Sequence, residues 1–220
     1  MLFCHPESDA TAAKHKGLGK QLGVVGLPGI AFLTATGEVV VQIPASEHSV
    51  AQFERYAARA HQLLAWRAAA AGGDGRAAAA LLIAQLEERQ LDRAAAEVLR
   101  RALHDETGDE KARLDELLLD LRIGEELRAA GSDRAVRRAL GARYLGMLRH
   151  GPVPSPDVSR GFWYVILEHC EAAGDADGFA AGLEGMRVNV ARTSNGAEWG
   201  RQLLSDCEAK LAKLRAPNGR

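Results

Sequence analysis

The chain has 220 residues, which is enough for one large domain or two smaller ones with a buried core. Hydrophobic residues make up 47% and charged residues 26%, values that exclude a wholly disordered or fibrous chain. The formal net charge of -1 argues against a whole-surface attraction for nucleic acid, and we expect no nucleic-acid partner.

The first part of the chain, residues 1–46, is the only part with the composition of strands. Residues 1–4 read as the end of a strand. Residues 10–22 read as a short helix, with Ser8 or Asp9 as its N-cap.

Two β-rich segments, residues 30–34 and 38–43, predict an antiparallel hairpin. Gly37 lies in the connection, where a positive φ costs glycine little. A helix is predicted from about residue 47 to residue 71, and it ends at a glycine-rich turn, residues 72–75. The predicted apolar face of this helix consists of Val50, Phe53, Ala57, Ala60 and Leu64.

The remainder is predicted to be almost entirely helical, because it is rich in alanine and leucine. The predicted antiparallel pairs are 76–88 with 92–104, 110–130 with 133–149, and 158–173 with 176–191, followed by a last helix at 196–214. Asp92, Asp133 and Asp175 open the second helix of each pair as N-caps, about 40 residues apart. Residues 91–103 resemble the second helix of a tetratricopeptide repeat. The sequence leaves two alternatives open, stacked helical hairpins and a generic helical bundle.

A second resemblance covers residues 1–65. Residues 24–33, Val-Val-Gly-Leu-Pro-Gly-Ile-Ala-Phe-Leu, followed by a Gly37 turn and another strand, resemble the second half of a thioredoxin fold. The Gly-Leu-Pro form is similar to that of thiol-disulfide interchange proteins, although Gly29 stands where that family usually has threonine. The resemblance implies an α/β fold with a partial thioredoxin-like sheet in residues 1–65. An all-helical hairpin-repeat or bundle domain is then expected in residues 66–220.

In the thioredoxin family the catalytic Cys-x-x-Cys opens a helix that precedes the strand corresponding to residues 1–4, and this chain contains no such motif. We therefore assign no catalytic residue. The resemblance instead implies a peptide-binding role for Leu27 and Pro28, beside a cis peptide bond. The alternative is that Pro28 only forms a turn before a strand.

The three cysteines, Cys4, Cys170 and Cys207, are too far apart in sequence for a disulfide framework or a zinc site. Cys4 has no basic neighbour or helix N-terminus to stabilise a thiolate, and the other two lie on apolar helical faces. The histidines also lack ligand spacing; they include His5, His15, His48 and His61. We expect neither a metal site nor a cofactor.

The predicted helix at 133–149 carries five arginines, which could suggest RNA binding. Because its neighbour at 110–130 is rich in acidic residues, complementary helix faces or simple solvation explain both better. The glycine-rich turn at 72–75 lacks the Lys-Ser/Thr of a phosphate-binding loop. Residues 151–156, Gly-Pro-Val-Pro-Ser-Pro, predict a stiff connector.

These observations predict a thioredoxin-like protein of a protein-thiol redox or folding pathway. In this chain it would act by binding polypeptide clients or a protein partner, without a redox centre of its own. Two alternatives remain open. One is a thiol-disulfide oxidoreductase whose catalytic N-terminal segment is missing from this chain, and the other is a structural helical scaffold. Whether the natural protein is an enzyme is therefore undecided at this stage.

In the thioredoxin fold a further strand lies between those corresponding to residues 1–5 and 30–34. Without it, these two strands must pair directly, swap with another copy, or await the missing strand, so a homo-oligomer through exposed strand edges is possible. We expect the reading frame to extend upstream by roughly 40–60 residues. No window of 18 uninterrupted apolar residues and no signal-peptide pattern are present, so we expect no membrane partner and, as written, a cytoplasmic location.

Overall fold

The computed structural model describes residues 2–4, 29–44, 47, 49–152, 154–155, 158, 160–193 and 198–216. Its strands are β1 (Leu2–Cys4), β2 (Gly29–Leu33) and β3 (Val39–Ile43). The helices that follow are α1 (Val50–Ala71), α2 (Gly75–Glu87), α3 (Arg93–Arg101), α4 (Gly108–Ala130), α5 (Arg134–His150), α6 (Arg160–Ala173), α7 (Ala176–Thr193) and α8 (Glu198–Arg215). The expected mixture of a small sheet and many helices is confirmed. The predicted helix at 10–22, with its N-cap at Ser8 or Asp9, lies outside the described residues.

The three strands form one antiparallel sheet in the order β1–β2–β3. Leu2 lies opposite Ala31, so β1 pairs directly with β2. The predicted hairpin is confirmed, with Ile30 opposite Ile43 and a register shift near the turn. Gly37 in that turn has a φ of 87°, a conformation that side chains disfavour.

Helix α1 begins later than predicted, at Val50 rather than near residue 47. The cause is local: Ser49 and Gln52 form a capping box, in which each side chain satisfies a backbone amide of the other. Val50 was expected on the apolar face, yet it is 78% exposed, so that expectation is wrong. The helix packs from its next turn onward, where Phe53 lies 5.1 Å from the Phe32 ring.

The chain divides into two compact units. The first unit comprises Met1–Gln85 and Leu103–Glu106, and the second comprises Leu86–Ala102 and Thr107–Arg220. The predicted domain boundary after residue 65 falls within α1, which continues without a break to Ala71. In the first unit, the core forms where α1 and α2 meet β3, and its buried side chains are Val40, Val41, Ala60, Leu63 and Ala84.

The core of the second unit lies among α4 to α8. Tyr144 stacks on Phe162 with ring centroids 4.7 Å apart, and Phe162 meets the Trp163 ring edge-on at 4.9 Å. Glycines allow the helices to approach closely. A side chain at Gly141 of α5 would overlap the backbone of α6, and one at Gly185 of α7 would overlap the Trp163 ring. Each of helices α5 to α7 packs against the next one along the chain.

The predicted aspartate caps are confirmed. Asp92 accepts a hydrogen bond from a backbone N–H of α3, Asp133 from two of α5, and Asp175 from one of α7. These bonds satisfy amides that would otherwise lack a partner in the first turn of each helix. The predicted break at 72–75 is also confirmed, since Gly73 takes a φ of 94° between α1 and α2. Whether the helix pairs are true repeats stays a prediction.

Candidate functional site: a charged cleft beside helix α4

The docking residues predicted from the sequence, Leu27 and Pro28, lie outside the described residues, as does the predicted cis peptide bond. The side chains of two cysteines are described, and both are core residues, as predicted: Cys170 is 0% and Cys207 6% exposed. Burial raises the pKa of the Cys170 thiol to about 11, and it also raises the pKa of Cys207. Neither thiol is therefore activated as a nucleophile.

The second unit contains a cleft of about 530 Å³ between α3, α4 and the connector that follows α5. This volume lies within the range of about 300–1,000 Å³ that is typical of ligand sites. Its lining combines charged and apolar side chains: Arg93, Glu97, Ala112, Asp115, Glu116, Leu118, Leu119, Arg122 and Pro152. We define this set as the α4 cleft.

Helix α4 forms the floor of the cleft and is held firmly at both ends. Thr107 and Glu110 form a capping box at its first turn, and its last turn ends at Gly131, whose φ is 49°. Two leucines of this helix differ in their surroundings: Leu114 is fully buried in the unit, while Leu118 is partly buried and lines the cleft. One face of the same helix thus supplies core packing and another supplies the site.

The connector wall of the cleft is fixed to α4 by a buried serine. The Ser155 backbone N–H donates to Asp120 Oδ1 at 3.2 Å, and its hydroxyl donates to Asp120 Oδ2. Farther along, the Asn189 side chain donates to the Val158 carbonyl at 3.0 Å. Burial raises the pKa of Asp120, and the two hydrogen bonds from Ser155 oppose this shift. The connector predicted from the sequence is therefore tied to α4 at Ser155, and Pro152 of the same connector lines the cleft.

The three acidic side chains of the cleft are each paired with an arginine. Glu97 accepts from Arg93 at 2.6 Å, and Asp115 lies 3.8 Å from an Arg100 nitrogen. The third, Glu116, accepts from the Arg113 guanidinium at 2.5 Å. These pairs neutralise the carboxylates without burying them, so they leave the cleft polar and open to water.

Arg122 differs from the other charged residues of the cleft. Within the part of the chain that the structure describes, it has no ion pair and no hydrogen bond from its side chain. It is exposed, and it stands one helical turn after Leu118 on the same face of α4. An unpaired guanidinium beside an apolar patch can donate hydrogen bonds to an anionic group while the patch contacts an attached apolar group.

The sequence did not single out Arg122 or this cleft. It drew attention instead to the arginines of α5, and there the structure supports both explanations that were offered. Arg143 pairs with Glu126 of α4, as expected for complementary faces. Arg137 pairs with Glu168 of α6 at 2.9 Å, and Arg138 is exposed to solvent.

Comparison with protein-family models, with curated proteins and with solved structures gives no match for this chain. Within the described ranges, no three His, Cys, Asp or Glu side chains converge as metal ligands would. Among the same residues, no helix has the length and apolar character needed to cross a bilayer.

Proposed function

We propose that this protein binds polypeptides and that the α4 cleft is one of their binding sites. The observation that supports this most is the cleft itself, which combines paired charges with the apolar side chains of Leu118, Leu119 and Pro152. A peptide presents the same mixture, since its backbone is polar and its side chains alternate in character.

The dimensions of the cleft favour a short extended segment. The lining residues of α4 run from Ala112 to Arg122, ten positions along the helix and therefore about 15 Å. An extended chain advances about 3.3 Å per residue, so about four to five peptide residues match this length. The lining also includes Pro152, which has no backbone N–H that would need a partner.

The thioredoxin-like relationship of residues 1–65, and with it a role in a protein-thiol redox or folding pathway, is part of the proposal and rests on the sequence motif around Pro28. The peptide-binding role of Leu27 and Pro28 is likewise proposed. Leu27 and Pro28 would then form a second binding site for the same class of polypeptide client.

The proposal can be tested with an unfolded polypeptide and a variant that fills the cleft. Ala112 is exposed and lines the cleft, whereas Ala129 is exposed on the same helix but outside it. The Ala112→Trp side chain should occupy the cleft and weaken binding, and Ala129→Trp is the matched control. The ligand is the fluorescently labelled B chain of insulin, reduced and carboxymethylated so that it stays unfolded, and binding is followed by anisotropy.

We expect the wild-type protein and A129W to bind the labelled chain alike, and A112W to bind it at least fivefold more weakly. Equal binding by all three proteins would exclude the α4 cleft as a polypeptide-binding site. Absence of binding by the wild-type protein would favour the scaffold alternative. Insulin reduction by the chain in the presence of dithiothreitol, at a rate above buffer, would instead favour the oxidoreductase.

A further inference from the structure

We propose that Arg122 determines the specificity of the α4 cleft and that it selects polypeptide segments carrying an acidic side chain two positions from an apolar one. This inference rests on the proposed function, because it names the chemical class of the client.

The partners that Arg122 would ordinarily find within its own helix are already engaged. Residues three and four positions away on a helix are neighbours, and for Arg122 these include Glu125 and Glu126. Glu125 accepts a hydrogen bond from Arg93 Nε at 2.7 Å. Glu126 is held by Arg143 and by the Tyr144 hydroxyl, the latter at 2.8 Å. The Arg122 guanidinium is thereby left without an acceptor among the described residues.

The remaining charges of the cleft do not compete for a client in the same way. Each lining carboxylate is already matched to an arginine, and Arg93 is shared between Glu97 and Glu125. An incoming basic side chain would have to share a carboxylate with one of these arginines. An incoming carboxylate meets the free fork of Arg122, which can bind both of its oxygens at once.

The surroundings of Arg122 also define the residue two positions from that carboxylate in the client. Leu118 lies one turn earlier on the same face of α4, and Leu119 and Pro152 complete an apolar patch in the lining. Because alternate side chains of an extended chain point to the same side, a leucine two positions from a glutamate could cover this patch while the glutamate reaches Arg122. The client expected from this geometry is therefore an acidic-apolar segment such as Leu-Xaa-Glu, where Xaa is any uncharged residue.

The test uses two labelled pools of heptapeptides, Xaa-Xaa-Leu-Xaa-Glu-Xaa-Xaa and the same sequence with Gln for Glu, where Xaa is any uncharged residue. Both pools are acetylated and amidated, so that they differ by one carboxylate. We expect the wild-type protein to bind the Glu pool about fivefold to tenfold more tightly at low salt. Arg122→Gln should abolish this preference, and Arg122→Lys should retain part of it, because the charge remains but the planar fork is lost.

Arg138→Gln is the matched control, since Arg138 is exposed on α5, does not line the cleft, and its loss changes the net charge equally. Equal binding of the two pools by the wild-type protein, with no effect of R122Q, would overturn the inference and leave the proposed function standing. Binding of neither pool, even at millimolar concentration, would overturn both. Concentration-dependent self-association that R122Q abolishes would make a second copy the occupant, contrary to the proposal.

Discussion

Replacing Gly141 with alanine tests the packing of α5 on α6 most severely. The added Cβ would overlap the Val165 carbonyl oxygen, lie 2.9 Å from the Val165 carbonyl carbon and lie 2.6 Å from His169 Cβ. Carbon atoms in contact are ordinarily about 3.5–4.0 Å apart. Because the obstacle is helix backbone and not the end of a flexible side chain, α6 must move away as a whole.

The change in the free energy of unfolding caused by Gly141→Ala follows from two opposing effects. Overpacking a core costs about 1–3 kcal/mol, and a collision with backbone belongs at the upper end of this range. Replacing a glycine within a helix by alanine returns about 1 kcal/mol through helix propensity. Gly141→Ala should therefore lower the free energy of unfolding by about 2 kcal/mol.

Gly146 provides the matched control, because it lies on the exposed side of the same helix and a Cβ there would meet nothing within 4 Å. Gly146→Ala should raise the free energy of unfolding by about 0.5–1 kcal/mol. Urea unfolding followed by circular dichroism at 222 nm measures both changes, provided that the m-values agree. A G141A protein as stable as the wild type would refute the packing described for α5 and α6.

Three further predictions concern the buried and capping groups. Asp120→Ala should destabilise the second unit by about 1–3 kcal/mol in urea unfolding, because it leaves Ser155 without a partner, while Asp120→Asn should be nearly neutral. The pKa of Asp175 is lowered by hydrogen bonds from α7 amides and from Arg149, so its stabilisation holds above the unfolded pKa of about 4 and is lost as pH falls through the folded pKa. The urea midpoint of Asp175→Asn should consequently lie below that of the wild type at pH 7, and the gap should shrink as the pH falls below about 4. In a background with Cys4→Ser and Cys207→Ser, which leaves Cys170 as the one thiol, a thiol reagent at pH 8 should modify the native protein about a hundredfold more slowly than the protein in urea; a rapid native reaction would contradict the raised pKa of Cys170.

Features that depend on neighbouring residues in the chain could be predicted from the sequence. Asp92 and Asp133 were predicted as N-caps because a carboxylate next to free amides needs no distant partner, and both do cap helices. The turn at Gly37 and the break at 72–75 follow from the backbone freedom of glycine in the same way. The predicted start of α1 near residue 47 is too early, because the capping box of Ser49 and Gln52 begins the helix at Val50.

Features that depend on distant residues could not be predicted in this way. The α4 cleft exists because the connector is fastened to α4 through Asp120 and Ser155, which are 35 positions apart. The two glutamates next to Arg122 on α4, Glu125 and Glu126, are instead bound by Arg93 and Arg143 from two other helices. Helical periodicity predicts which residues share a face of a helix, but it does not predict which arginine a given glutamate will bind.

Hydrogen–deuterium exchange on the full chain, with and without the carboxymethylated insulin B chain, tests most directly whether polypeptides bind in the α4 cleft. A bound client stabilises the conformation that it contacts and slows exchange there. We predict slower exchange in residues 93–101 and 112–122, the segments of α3 and α4 that contain lining residues of the cleft, and no change in residues 176–193. Binding of the B chain without a change of exchange in residues 93–101 and 112–122 would contradict polypeptide binding in the α4 cleft.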